Sequence, residues 1–247
     1  MTSWRSKEGS KPVKAVEIVP ALRGPERPLE SASFTSNATD CTICRARGNN
    51  AKHASDAVVC DVTRPEQVQH AIYAIISKFG RIYSLINNAG QGLHATIEDI
   101  KLDDFKDLLN LNTVAPLAMM QAVIPYMRKQ GRGSIVNVNV SSGATLATYP
   151  GSAAYTSSKA ALNMLSSVAR LELAEAGIAV SVMHPSITST DFYGSVKSGL
   201  TSAKAQEVET VSFAHPPELV AETILRLIKS GDAQADLVAK EYCHSQY

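Results

Sequence analysis

Ser141-Ser142-Gly143-Ala144-Thr145-Leu146-Ala147-Thr148-Tyr149-Pro150-Gly151-Ser152-Ala153-Ala154-Tyr155-Thr156-Ser157-Ser158-Lys159-Ala160-Ala161-Leu162 carries the strongest local pattern in the chain. After Pro150-Gly151, Ser152 is placed to cap a helix whose apolar residues Ala161, Leu162, Leu165, Val168 and Ala169 recur at helical spacing. Tyr155 and Lys159 then stand one turn apart on one face, so an ammonium can sit beside a phenol. A fixed positive charge favours the phenolate and pulls a tyrosine below its ordinary pKa of about 10. A tyrosine tuned in this way can give or take a proton near neutral pH.

Working backwards, Ser142 ends the apolar run Ser134-Ile135-Val136-Asn137-Val138-Asn139-Val140, which reads as a buried strand. A hydroxyl at a strand's carboxyl end is where open α/β sheets place their ligands. Ser142 and the Tyr-x-x-x-Lys of Tyr155 and Lys159, in this register, resemble the short-chain dehydrogenase/reductase family. The resemblance implies a Rossmann-like fold and hydride transfer between NAD or NADP and a small carbonyl or secondary alcohol. It makes Tyr155 the general acid or base. Lys159 would lower its pKa and bind the nicotinamide ribose, and Ser142 would bond the substrate oxygen.

The landmarks on either side fit the same pattern from Asp56 onward. Ala57-Val58-Val59-Cys60 is a short strand ending in Asp61-Val62-Thr63. By resemblance Asp61 and Val62 contact the cofactor's adenine; by residue type alone, Asp61 or Thr63 caps the next helix. That helix runs from Pro65 to Phe79, with Val68, Ile72, Ile75, Ile76 and Phe79 on one stripe. The strand Ile82 to Ile86 then enters Asn87-Asn88-Ala89-Gly90, where the resemblance places Asn88, Ala89 and Gly90 against the cofactor. Asp103 to Arg128 reads as a long helix interrupted by Asn110, Asn112 and Pro116. A mid-helix asparagine costs helix propensity without visible gain, and the resemblance makes Asn112 catalytic, holding a water in the proton relay to Lys159.

Ala179 to His184 is a further strand, closing on Pro185-Ser186-Ile187-Thr188-Ser189-Thr190. The resemblance gives Pro185, Thr188 and Thr190 to the cofactor, with Ser186 where the family carries glycine. Asp191 to Ser212 would be a lid over the substrate. Pro216-Pro217 opens a last helix, and Ala235 to Val238 a last edge strand. Strands alternating with helices of this length give a doubly wound, mostly parallel sheet with helices on both faces.

Residues 1–55 depart from the pattern. Lys14 to Val19 could be a first strand, but Pro20-Ala21-Leu22-Arg23-Gly24-Pro25-Glu26-Arg27-Pro28 stands where the family has a glycine-rich turn. Such a turn lets backbone N–H groups approach a pyrophosphate at a helix N-terminus, whereas prolines remove donors and fix φ. Ser31 to Ser55 is polar and lacks apolar periodicity, so residues 1–55 are expected to be an irregular, poorly ordered segment preceding a single domain over 56–247. The residues leave open a divergent amino-terminal region or a changed reading frame. They also leave open a protein of this fold, or a defective chain, that binds no cofactor.

With 247 residues and 45% hydrophobic content, the chain can bury one sizeable core. Its net charge of +1, and the absence of any basic run longer than Arg128-Lys129, give no footprint for nucleic acid or an anionic membrane. No apolar run reaches membrane-spanning length and Met1 to Ser10 has no signal-peptide core, so a soluble cytoplasmic protein is expected. Cys41 and Cys44 have knuckle spacing, but only His53 is nearby, so no metal site is expected and the thiols should stay reduced. No Gly-x-Ser-x-Gly elbow supports a hydrolase. The cofactor choice rests on charges near the second strand, where Arg45 and Arg47 favour NADP over NAD. The family would further suggest a homodimer or homotetramer through its two long helices.

Overall fold

A computed structural model describes residues 16–19, 42–47, 55–138, 150–185, 187–188, 196–210 and 214–237. Its strands are β1 (Val16–Val19), β2 (Thr42–Arg47), β3 (Ser55–Cys60), β4 (Ser84–Asn87), β5 (Gly133–Val138), β6 (Ile178–Pro185) and β7 (Gln234–Leu237). The helices are α1 (Pro65–Phe79), α2 (Leu102–Leu109), α3 (Ala115–Gln130), α4 (Ala153–Leu173), α5 (Leu200–Thr210) and α6 (Pro217–Ser230). The strands form one sheet in the order β3-β2-β1-β4-β5-β6-β7.

From β4 to β7 every pairing is parallel, as the alternation of strand and helix predicts. Side chains of successive residues point to opposite faces of a strand, and the core divides accordingly. Leu85, Ile135 and Val180 pack with α1 and α3 on one face, while Ile86, Val136 and Met183 pack with Ile224 and Leu227 of α6 on the other. Both faces of this half are therefore covered, which is what a parallel sheet requires.

The other half of the sheet corrects two expectations. Thr42–Arg47, expected as loop, is a strand bonded along its whole length to β3; pairing with two neighbours supplies what its weak apolar alternation does not. Strand β1 is present, but antiparallel to β4, with Val16 beside Asn87 and Val19 beside Ser84. Because β2 is parallel to β1 and antiparallel to β3, β1 and β2 run against the other five strands. The chain therefore leaves β1 at the end of the sheet opposite the Asn88–Gly90 turn. The same register sets Arg47 beside Ser55, away from Asp61, which removes the argument for NADP that rested on Arg45 and Arg47.

The long helix expected over 103–128 extends from Leu102 to Gln130 in three pieces, with a π-helical turn over Asn110–Val114. By length and composition it could cross a membrane, but Met119, Met120, Val123 and Met127 are buried in the core. Helix α4 begins as expected, although Ser152 makes no side-chain capping bond and its carbonyl accepts from Thr156 instead. Its buried face is Ala154, Tyr155, Ser158, Lys159, Leu162, Ser166 and Leu173. Of the predicted apolar stripe only Leu162 is fully buried, and Val168 joins Met164 and Leu171 on an exposed apolar strip. The stripe was misplaced because the inward face is largely polar. Cys41 and His53 lie outside the described residues.

Candidate active site

Strands β3, β4, β5 and β6 bring their carboxyl ends to one edge of the sheet, and the candidate residues gather there. The turn after β4 supplies Asn88, Ala89 and Gly90; the π-turn supplies Asn112; the first two turns of α4 supply Tyr155 and Lys159. Pro185 ends β6, and Thr188 follows it, bridged to His215. Ser142 and Thr190 lie outside the described residues.

Lys159 is 1% exposed although it carries an ammonium. Burial penalises its charge and lowers its pKa from 10.5 to about 8. Nζ stands 5.8 Å from the centre of the Tyr155 ring. A β-carbon placed on Gly90 would lie 3.2 Å from that nitrogen and 3.5 Å from Asn112 Oδ1. Gly90 is thus the point where main chain, ammonium and amide converge, and any side chain there would press on them.

Asn112 is completely buried and fully oriented. Its Oδ1 accepts from the Gln91 N–H at 2.9 Å, and its Nδ2 donates to the Gln91 carbonyl at 2.9 Å and to Ser158 Oγ at 3.0 Å. Only one amide orientation satisfies both Gln91 contacts. The asparagine side chain is therefore a brace between the turn after β4 and α4. The widened helical turn that presents it is of a kind that recurs at functional sites.

Behind this layer, Asn87 Nδ2 donates to Asn137 Oδ1 at 2.7 Å, Asn137 Nδ2 to Ser166 Oγ at 2.8 Å, and Ser166 Oγ to the Leu162 carbonyl at 2.6 Å. The chain of bonds runs from β4 through β5 to α4 and fixes that helix against the strand ends. In front, the 92–95 loop is clasped from two sides. His94 N–H donates to the Ser198 carbonyl, Lys197 N–H to Gly92, and Ala95 N–H to Gly151 at the start of α4. Lys197 Nζ meets Asp107 Oδ2 at 2.8 Å. Burial pushes the His94 imidazole below its ordinary pKa.

Two of the expected adenine contacts have structural work of their own. Asp61 Oδ1 accepts from Thr63 N–H at 2.9 Å and Thr63 Oγ1 at 2.7 Å, and Asp61 N–H donates to Gln67 Oε1. That is a side-chain-bonded turn leading into α1; the helix's N-cap is Arg64, without a side-chain capping bond, so neither Asp61 nor Thr63 caps it as residue type alone offered. Val62 is 2% exposed and its side chain belongs to the core, which leaves its main chain to meet a ligand. Sequence reasoning missed Gln91, Thr113, Ser158 and His184. His184 is buried at the end of β6 with its Nδ1 unsatisfied among the described residues. Burial lowers its pKa, Asp236 opposes that shift, and Lys159 adds to it.

The sequence pattern of the short chain dehydrogenase family matches residues 30–201, more than half of the chain. The chain belongs to the short-chain dehydrogenase family. Among similar proteins of this family, an oxidoreductase of Botryotinia fuckeliana is 36% identical over 157 residues, spanning 64% of this chain and 57% of its own. A 3-alpha-(or 20-beta)-hydroxysteroid dehydrogenase of Mycobacterium bovis is 35% identical over 137 residues, spanning 56% of this chain and 52% of its own. The chain thus spans little more than half the length of these relatives. The crystal structure of an NAD+-bound xylitol dehydrogenase superposes with a TM-score of 0.60 at 27% identity, covering 74% of this chain and 77% of that one. The short-chain dehydrogenase architecture is therefore established, as is membership of an oxidoreductase family.

Proposed function

We propose that this short-chain dehydrogenase interconverts a small-molecule carbonyl and a secondary alcohol with NAD or NADP, using Tyr155, Lys159, Ser142 and Asn112. The observation that carries the reading is the buried ammonium of Lys159, one turn from Tyr155 and packed against the main chain at Gly90. A cation held out of water is costly and earns its place by stabilising a neighbouring anion, here a phenolate.

The residues present fit the nicotinamide-ribose end of the cofactor. Gly90 allows close approach, the Lys159 ammonium is a donor for ribose hydroxyls, and Asn88, Ala89, Pro185 and Thr188 border the same edge. The fit is poorer toward the diphosphate, because β1 leaves the sheet at the opposite end and no glycine-rich turn follows it. When bound, the nicotinamide supplies or accepts the hydride at its C4.

In reduction Tyr155 gives its proton to the carbonyl oxygen, and in oxidation it takes that proton back. Lys159 holds the resulting negative charge. Ser142 donates to the same substrate oxygen, and Asn112 holds the water of the proton relay to Lys159. Each proton-transfer group contributes typically 10² to 10⁴ in rate, roughly 3 to 5 kcal/mol of barrier. The exposed Met164, Val168 and Leu171 on α4 support association into a homodimer or homotetramer. Burial of Met119, Met120, Val123 and Met127 makes Leu102–Gln130 a partly buried core helix, in keeping with a cytoplasmic protein.

The reversed β1 favours one rival, a family member that binds no cofactor. Fluorescence titration of the purified chain with NADPH and with NADH decides between them. Micromolar binding of either, with turnover lost in Tyr155→Phe, is the expected result and sets the cofactor preference; a folded protein that binds neither overturns the enzymatic reading.

A further inference from the structure

Three hydroxyls follow Tyr155 in the sequence, and all three bond back to carbonyls of the helix's first turn. Thr156 Oγ1 donates to Ser152 at 3.0 Å, Ser157 Oγ to Ala154 at 3.0 Å, and Ser158 Oγ to Tyr155 at 2.7 Å. Such back-bonding is ordinary for serine and threonine in helices and bends them slightly. Ser158 differs from its neighbours in what reaches it from outside the helix. Its Oγ accepts the Asn112 Nδ2–H at 3.0 Å, and its main-chain carbonyl accepts Thr113 Oγ1–H at 2.9 Å.

Two consecutive residues of the π-turn thus grip one residue of α4. In an ordinary helix consecutive side chains diverge widely around the axis. The wider π-turn brings neighbours closer in direction, so Asn112 and Thr113 can face the same partner. The Ser158 hydroxyl is completely buried and has one hydrogen to give. It spends that hydrogen on the Tyr155 carbonyl while a lone pair receives Asn112. The same oxygen therefore touches the residue on whose main chain the phenol is mounted and the amide that braces Gln91, next to Gly90. Lys159 is the very next residue.

We propose that Ser158 is a positioning residue for the Tyr155–Lys159 pair, locking α4 to the π-turn so that phenol, ammonium and Asn112 keep their mutual geometry. The proposal rests on the oxidoreductase reading for its catalytic consequence but not for its structural one. Without the hydroxyl, one Asn112 N–H is left buried and unsatisfied, and the Tyr155 carbonyl loses its second donor. The catalytic helix can then shift against the π-turn, and the phenolate loses part of the support of Lys159.

The test compares Ser158→Ala with Ser157→Ala, which removes a bond of the same kind from the exposed side of the helix. Two readouts are taken on each: the tyrosinate absorbance of Tyr155 against pH, obtained by subtracting the Tyr155→Phe spectrum, and steady-state reduction of 9,10-phenanthrenequinone. Ser158→Ala is expected to move the Tyr155 titration upward by half a pH unit or more. It should also lower kcat at least tenfold, with KM and the NADPH or NADH dissociation constant changed less than twofold. Ser157→Ala should match the parent in both. If Ser158→Ala fails to fold, Ser158→Cys keeps the volume while weakening both bonds and is read by the same criteria. An unmoved Tyr155 titration in a folded Ser158 variant overturns the proposal, as does an equal loss in Ser157→Ala. A parent protein with no turnover sinks the oxidoreductase reading, while the titration still decides the role of Ser158.

Discussion

The two halves of the sheet were made by different rules. Between β4 and β7, the first three strands are largely buried, each connection carries a helix, and the direction of every strand follows from its crossover. Between β1 and β3 the strand order is continuous with the rest, yet β1 and β2 run the other way. A strand's side chains decide which face it buries, whereas its direction is decided by the chain that joins it to the next. The Tyr155, Lys159, Asn112 and Gly90 cluster stands wholly on elements from β4 onward. The proposed chemistry thus belongs to the regular half, and the half that would hold the cofactor's far end is the altered one.

The largest effects should come from the regular half. Lys159→Met is expected to lower turnover by about 10² or more, and also to raise stability at neutral pH. The ammonium's pKa is about 8 in the folded chain against 10.5 ordinarily. Below pH 8 the lysine is charged in both states and the folded state bears the full desolvation cost, up to about 3 kcal/mol. As pH rises from 8 toward 10.5 that cost fades. Urea unfolding should therefore show the variant more stable than the parent at pH 7, with the gap closing by pH 10. A variant less stable at pH 7 would mean that the ammonium contributes more through its contacts than it loses by burial.

The next effect measures what the altered half contributes. If β1 supplies no diphosphate cradle, reduced nicotinamide mononucleotide should bind within about tenfold of NADH or NADPH, ~1.4 kcal/mol or less. Competition by fluorescence measures the ratio; a dinucleotide advantage of a hundredfold or more would show that the two halves cooperate after all. The smallest effect belongs to the boundary between them. Asp61→Ala should destabilise the turn before α1 by about 1 kcal/mol through loss of its bonds to Thr63, seen as a lower urea midpoint, and leave dinucleotide affinity unchanged. A drop in affinity instead would return Asp61 to the adenine.

What the sequence made legible follows the same division. Helix α1 was readable to the residue because Val68, Ile72 and Ile75 mark its buried stripe and Pro65 and Gly80 its ends. That Tyr155, Lys159 and Asn112 lie near one another was legible through the family resemblance, since Tyr-x-x-x-Lys by itself is common on ordinary helices. Ser158 was not, since a serine in a helix is common and its partner lies far along the chain. The stripe on α4 was misassigned because apolar spacing cannot say which side faces protein. Arg45 and Arg47 were placed by distance along the chain, which a reversal of strand direction makes meaningless.

The hydrogen-bonded path from Asn87 through Asn137 to Ser166 limits how this molecule can be altered. Replacing any one of the three strands a polar atom in the interior, whereas replacing all three with apolar groups of matching shape leaves none stranded. The intermediate steps are worse than either end point. Substitutions there are coupled, and a lineage or a designer crossing from one solution to the other has to change three positions on three separate elements at nearly the same time.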